Sequence, residues 1–164
     1  MPTGFISIGS NIDKDIHIPS SLTSIKKLFG KIICSSLYET EAVGFEGENF
    51  HNLIAQFDSP LDARDIAKQL KQIEHEHGRT RDDRKYAART LDLDLILHGD
   101  LILKDSNLQI PRDEIENYAF VLEPLAEIAP NFVHPVSHKS YAQLWDEYDK
   151  TNLKQNKIPS YFAF

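Results

Sequence analysis

Asp92 and Asp94 stand two residues apart in Arg89-Thr90-Leu91-Asp92-Leu93-Asp94-Leu95-Ile96-Leu97, where apolar and polar residues alternate with the period of a pleated strand. That alternation sends Leu91, Leu93, Leu95 and Leu97 to one face and Asp92, Asp94 and Ile96 to the other. Two residues along a strand cover about 6.6 Å, so the two carboxylates leave one face side by side and repel each other. A hard cation with oxygen ligands relieves the repulsion, and magnesium takes one or two carboxylates together with water and substrate phosphates. Just upstream, Arg79, Arg81, Arg84, Lys85 and Arg89 crowd five cations into eleven residues of a chain whose formal charge is -7. Guanidinium groups match phosphate oxygens with paired hydrogen bonds, and a metal held by neighbouring acids bridges the same oxygens. Two readings follow: a polyphosphate site, or arginines that neutralise Asp82, Asp83 and the strand carboxylates in a solvated ion-pair network.

The rest of the chain must position these groups. Its 164 residues are one domain's worth, long enough to bury a core, and 41% hydrophobic against 26% charged residues describes an ordinary soluble globule. The acidic balance argues against nucleic-acid binding, since only the stretch from Arg79 to Arg89 departs from it. Cys34 is the single cysteine, so no internal disulfide forms and the cytoplasm is the expected compartment. The first residues are too short and polar for a signal peptide, and no stretch approaches membrane-spanning length.

Residues 4–8 read as a first strand ending in Gly9-Ser10-Asn11, a turn of small residues that is a plain strand-to-helix turn in preference to a phosphate loop, because the longer glycine pattern is absent. A helix follows through Ile18, Leu22, Ile25 and Leu28, with Pro19 expected in its first turn and Gly30 at its end. Residues 31–38 and 50–57 are the next strands, joined by a loop over 39–49. Ser59-Pro60-Leu61-Asp62 opens a second helix with Ser59 as its N-cap; Ala63, Ile66, Ala67, Leu70, Ile73 and His77 form its inward stripe, and Glu74 lies beside that stripe. His75 and His77 point apart on such a helix and share no metal. After Leu97, His98-Gly99-Asp100 turns into a hairpin partner at 101–103, residues 114–128 form a helix, and 141–148 form a last short one. The aromatic tail over 158–164 is either docked or frayed. This order of elements is that of an α+β, ferredoxin-like antiparallel sheet with helices packed on it.

Gly9-Ser10-Asn11, Tyr38-x-Thr40, Phe50-x-Asn52, Glu74-x-x-x-Gly78-Arg79-x-Arg81, Arg89-Thr90-Leu91-Asp92-Leu93-Asp94, Phe120-Val121-Leu122-x-Pro124-Leu125 and Ile128-Ala129-Pro130 occur in one order. In these motifs the chain resembles the 6-hydroxymethyl-7,8-dihydropterin pyrophosphokinases of folate biosynthesis over about residues 5–150, leaving 151–164 unassigned. The resemblance implies transfer of the terminal diphosphate of ATP to the pterin's hydroxymethyl oxygen with release of AMP. It implies two magnesium ions on Asp92 and Asp94, with Arg79, Arg81 and Arg89 balancing the polyphosphate and Glu74 at the nucleotide end. Phe50 and Phe120 would sandwich the pterin ring, Asn52, Thr40 and the backbone near Val43 would read its amide edge, and Tyr86 could lid the pocket. Taken singly, either phenylalanine reads as a core residue; taken with Asn52 two residues on from Phe50, so that both face one way from a strand, the pocket reading is favoured. ATP and a hydroxymethyl dihydropterin are the implied partners, with no obligate protein partner, nucleic acid or membrane.

Departures from the family pattern mark where this chain differs. Tyr86-Ala87-Ala88 stands where the family has Trp-Gly-Pro, Arg112 follows Pro111 in place of histidine, Tyr118 replaces an arginine, and Lys71 replaces a glutamine. Arg112 and Lys71 are candidates for supplying the missing cation at the nucleotide, because long basic side chains reach the same phosphates from new anchors. A paralogue with altered pterin or nucleotide preference, or a non-catalytic pterin- or nucleotide-binding protein, is the alternative.

Overall fold

A computed structural model describes residues 1–41, 49–78 and 91–162, and among these eight strands and five helices follow one another. The expected α+β, ferredoxin-like architecture forms. β1 (Thr3–Ser10) lies between β5 (Asp92–His98) and β4 (Phe50–Asp58), antiparallel to both. On its far side β4 pairs with β2 (Ile32–Cys34) and β3 (Leu37–Thr40), and β8 (Gln155–Ile158) adds to β3 as the outer strand. β6 (Leu103–Lys104) and β7 (Gln109–Ile110) make a separate ribbon.

Helices cover both faces. α1 (Lys14–Phe29) and α2 (Ala63–Glu76) bury Ile18, Leu22, Ile25, Ile66 and Leu70 against Ile6, Ile8, Leu53, Leu93 and Leu95. On the opposite face α4 (Ala119–Ile128) and α5 (Tyr141–Glu147) bury Val121, Leu122, Leu125 and Tyr141 against Phe5, Ile54, Ile96 and Leu97. A one-turn helix, α3 (Glu114–Asn117), precedes α4. No helix among the described residues is long and apolar enough to cross a membrane.

Several expectations are corrected. Leu97 leaves the Leu91, Leu93 and Leu95 row: the register between β1 and β5 shifts between Phe5 and Ile6, and Ile96 and Leu97 both join the α4/α5 side. The strand expected over 31–38 is broken, because the Ser35 hydroxyl accepts the Ile54 N–H at 2.9 Å and the pairing moves on by one residue before Tyr38. Its second half runs on to Thr40, which is strand and not loop. α1 starts at Lys14, where Asp13 accepts two backbone N–H groups, so Pro19 falls inside the helix instead of in its first turn.

The N-cap of α2 is Asp62, whose carboxylate accepts the Asp65 N–H at 3.0 Å; Ser59 instead accepts the Leu61 N–H. The turn at Gly99 exists, but β6 pairs with β7 and not with β5, whose outer side is taken by other groups. Tyr118, with extended backbone, splits the helix expected over 114–128. As far as residue 162 the tail is docked: β8 pairs with β3 and Phe162 packs against the core.

Candidate active site

Strand register sets the site. In one row across the sheet Asp92 on β5 faces Gly9 on β1, Gly9 faces Asn52 on β4, and Asn52 faces Tyr38 on β3. Asp94, Ser7 and Ile54 form the next row, and Thr40 faces Phe50 on the other side of the first. Paired residues in adjacent strands point the same way. Asp92, Asp94, Asn52, Thr40 and Phe50 therefore share the α4/α5 face. Both aspartates are half-buried. Strands are about 4.8 Å apart, so two steps separate Asp92 from Asn52 by roughly 10 Å.

Gly9 keeps that row open. A β-carbon there would stand 2.8 Å from Asn52 Oδ1, so the buried asparagine lies across the space a side chain would need. Asn52 Nδ2 donates to Thr40 Oγ1 at 3.0 Å, which orients the amide with its carbonyl over Gly9.

Arg112 stands beside the aspartates. Its backbone N–H donates to the Ile96 carbonyl at 3.1 Å, after the cis Ile110–Pro111 bond has brought the chain back to β5. Its Nε and Nη2 donate to the two oxygens of Glu114 at 3.1 and 2.7 Å. The bond to Glu114, with the charges of Asp94, Glu114 and Asp92, holds the guanidinium pKa above its ordinary value against the opposing effect of burial.

Glu74, which the resemblance puts at the nucleotide end, is buried on α2 and accepts the Leu93 N–H at 2.7 Å. β5 is an edge strand, so this carboxylate ties α2 to the backbone between the two aspartates. Lys71 lies one turn earlier on α2 and is exposed. Phe120 packs against the α4/α5 cluster, and the exposed Tyr118 ring stacks on it with centroids 5.1 Å apart.

Val43, Arg79, Arg81, Arg84, Lys85, Tyr86 and Arg89 lie outside the described residues. Sequence reasoning passed over Glu39 and His51. His51 is buried behind Phe50 and Asn52, its Nε2 3.2 Å from Glu39 Oε2, and Glu39 Oε1 accepts from Asn49 Nδ2 at 3.0 Å. A histidine alternating with site residues on a strand was the available signal, since it must face the opposite side.

As metal ligands the two aspartates are a partial set: among the described residues no group of three or more His, Cys, Asp or Glu converges. Two adjacent carboxylates on one face fit a hard cation that completes its shell with water and phosphate oxygens.

An antiparallel α+β sheet of this topology is common to many enzymes, so kinship decides the class. Residues 5–130 match the family model of 7,8-dihydro-6-hydroxymethylpterin-pyrophosphokinase, and the chain belongs to that family. It is a pyrophosphokinase, a diphosphate-transferring enzyme. The chain is 33% identical over 141 residues to the 2-amino-4-hydroxy-6-hydroxymethyldihydropteridine pyrophosphokinase of Haemophilus influenzae, covering 84% of this chain and 88% of that one. It is 40% identical over 118 residues to the Synechocystis protein of the same name, covering 72% of this chain and 60% of that one. Among solved structures, wild-type Plasmodium falciparum HPPK-DHPS with pterin and p-hydroxybenzoate superposes with a TM-score of 0.75 at 15% identity, over 96% of this chain and 46% of that one. That likeness speaks to the fold, and the chain spans under half of the Plasmodium protein.

Proposed function

We propose that the chain transfers the terminal diphosphate of ATP to the hydroxymethyl oxygen of 6-hydroxymethyl-7,8-dihydropterin, releasing AMP, as a step of folate biosynthesis. The observation that carries this reading is the single row Asp92, Gly9, Asn52 on three adjacent strands. It offers a carboxylate at one end, an amide at the other and a flat floor between them. A bicyclic ring read at its amide edge by Asn52 directs its hydroxymethyl arm toward the aspartates.

Asn52 and Thr40 supply donors and acceptors for the lactam edge, and Phe50 and Phe120 supply the apolar walls. Asp92 and Asp94 would hold two magnesium ions, which would supply positive charge to offset that of the polyphosphate. Arg79, Arg81 and Arg89, in the adjacent sequence, are assigned to the polyphosphate and to the charge that accumulates on departing AMP. Arg112 takes the place of the family's histidine beside the aspartates, and Lys71 and Tyr118 complete the nucleotide end. Glu74 acts there through β5. Val43 and Tyr86 are assigned to the pterin. Diphosphate transfer asks for alignment and charge balance more than for covalent help, which suits a site of carboxylates and guanidinium groups without an activated nucleophile.

The reading takes 1–164 as one domain, supported by the pairing of β8 with β3. AMP release measured with ATP, magnesium and the hydroxymethyl dihydropterin together, and with each omitted in turn, tests the reaction. AMP is expected only from the complete mixture. Equal release without the pterin would overturn the proposed acceptor, and a panel of pterins and nucleotides would show whether Arg112 and Tyr118 shift the preference.

A further inference from the structure

We infer that the C-terminal segment from Gln155 to Tyr161 braces the proposed pterin pocket, with Gln155 and Tyr161 as positioning residues that set pterin affinity without touching the ligand. The inference rests on the pocket reading above, and it concerns residues beyond the stretch 5–130 that matches the family model.

Three attachments carry it. Backbone pairing of Gln155 with Thr40, Asn156 with Glu39 and Lys157 with Tyr38 holds the outer side of β3, the strand that presents Thr40. On the α4/α5 face, Gln155 Nε2 donates to the Ala119 carbonyl at 3.1 Å and to Glu123 Oε1 at 2.8 Å. Those bonds fix the first turn of α4, one residue before Phe120.

Behind the sheet, the Tyr161 hydroxyl stands 3.1 Å from His51 Nδ1 and 3.2 Å from the Lys14 carbonyl oxygen. The hydroxyl donates to the Lys14 carbonyl, and on the other side of the ring His51 Nε2 lies 3.2 Å from Glu39 Oε2. Lys14 Nζ donates to the Asn49 carbonyl at 2.8 Å, closing a ring of contacts around the ends of β3 and β4. His51 lies between Phe50 and Asn52, and Glu39 precedes Thr40. One segment thus reaches the supports of every described residue assigned to the pterin. A binding constellation needs its side chains held within about 0.5 Å, and a supporting shell provides that tolerance.

The experiment uses the full chain in wild-type form and as Asn52→Ala, Gln155→Met, Tyr161→Phe and the Gln155→Met/Tyr161→Phe pair. Dissociation constants are measured separately for 6-hydroxymethylpterin, by its fluorescence, and for ATP with magnesium. Each single brace variant is expected to weaken pterin binding about threefold and the pair about tenfold, the scale of one or two neutral hydrogen bonds, with ATP binding within about twofold of wild type. Unchanged pterin affinity in the pair, with Asn52→Ala weakened, overturns the brace and leaves the pocket standing. Equal losses for pterin and ATP, together with a lowered unfolding midpoint, mean a general structural role and also overturn it. If Asn52→Ala binds pterin as wild type does, the pocket reading itself falls.

Discussion

The two faces of the sheet are built from the same strands and do opposite things. Toward α1 and α2 the side chains are Ile6, Ile8, Leu53, Ala55, Leu93 and Leu95, a dry layer with no polar interruption along these rows. Toward α4 and α5 the apolar residues Phe5, Ile54, Ile96 and Leu97 cover only part of the face, and Ile54 already shares its row with Asp94. The rest of that face carries Asp92, Asn52 and Thr40. Leu93 and Asp92 are neighbours in sequence, yet one belongs to the layer that folds the protein and the other to the layer that carries the proposed site. Period-two alternation lets a single strand serve both.

Substitutions at these two neighbours test the division most sharply. Asp92→Ala is expected to lower turnover about a thousandfold, the scale of losing charge stabilisation of a transferring polyphosphate, while moving the unfolding midpoint little. Leu93→Ala should do the reverse, removing about 2–5 kcal/mol of stability by opening a cavity under the sheet and leaving the turnover of the folded fraction near wild type. Steady-state kinetics beside denaturant unfolding separates the two. Similar profiles for both variants would dissolve the comparison.

Gly9→Ala probes the boundary between the faces. A methyl group at 2.8 Å from Asn52 Oδ1 forces the amide off the row without disturbing either apolar layer. Pterin affinity is expected to fall roughly tenfold while ATP affinity holds, because the amide's hydrogen bonds to the ligand are lost and the three atoms nearest the new carbon belong to Asn52 and His51, not to Asp92 on the neighbouring strand. Titration with each ligand checks this, and an unaffected pterin constant would mean that Asn52 does not read the ring.

Much of this division is legible in the sequence. The alternation around Asp92 and Asp94 gives the strand and its two faces, and the helix stripes through Ile18, Leu22, Ile25 and through Ile66, Leu70, Ile73 give the covering layer. Leu97 escapes because its facing depends on a register shift against β1, a property of two strands that neither contains alone. The α2 cap escapes because Ser59 and Asp62 are both good caps and the backbone chose the second. β8 escapes because Gln155-Asn156-Lys157-Ile158 has little apolar pattern: it is a strand through backbone bonds to the open side of β3. The site is legible in the same measure. Asp92, Asp94, Asn52 and Phe50 follow from spacing and motif, whereas Arg112's closeness to the aspartates depends on the return of the chain after β7.

Acid pH acts in part on the α1/α2 side and supplies the smallest effect. His17 sits between α1 and α2, 5.5 Å from the His77 ring, and its Nδ1 is buried without a hydrogen-bond partner. Burial, then the neighbouring His77, lower its pKa from 6.5, with Asp13 opposing. His51 behind the site is lowered as well, by burial first and by Lys14, against Glu39 and Asp15. Between the lowered folded value and 6.5 the unfolded chain binds more protons than the folded one, so stability rises with pH through that window. The contribution is complete above 6.5 and is lost as the pH falls below it. His17→Phe keeps the edge-on contact with His77 and removes both the orphaned nitrogen and the titration. Unfolding midpoints followed downward from pH 7 should therefore fall less steeply in this variant than in wild type, with no loss at pH 7. An identical slope would move the acid sensitivity away from this helix pair and onto His51 or His134, both of which burial also lowers.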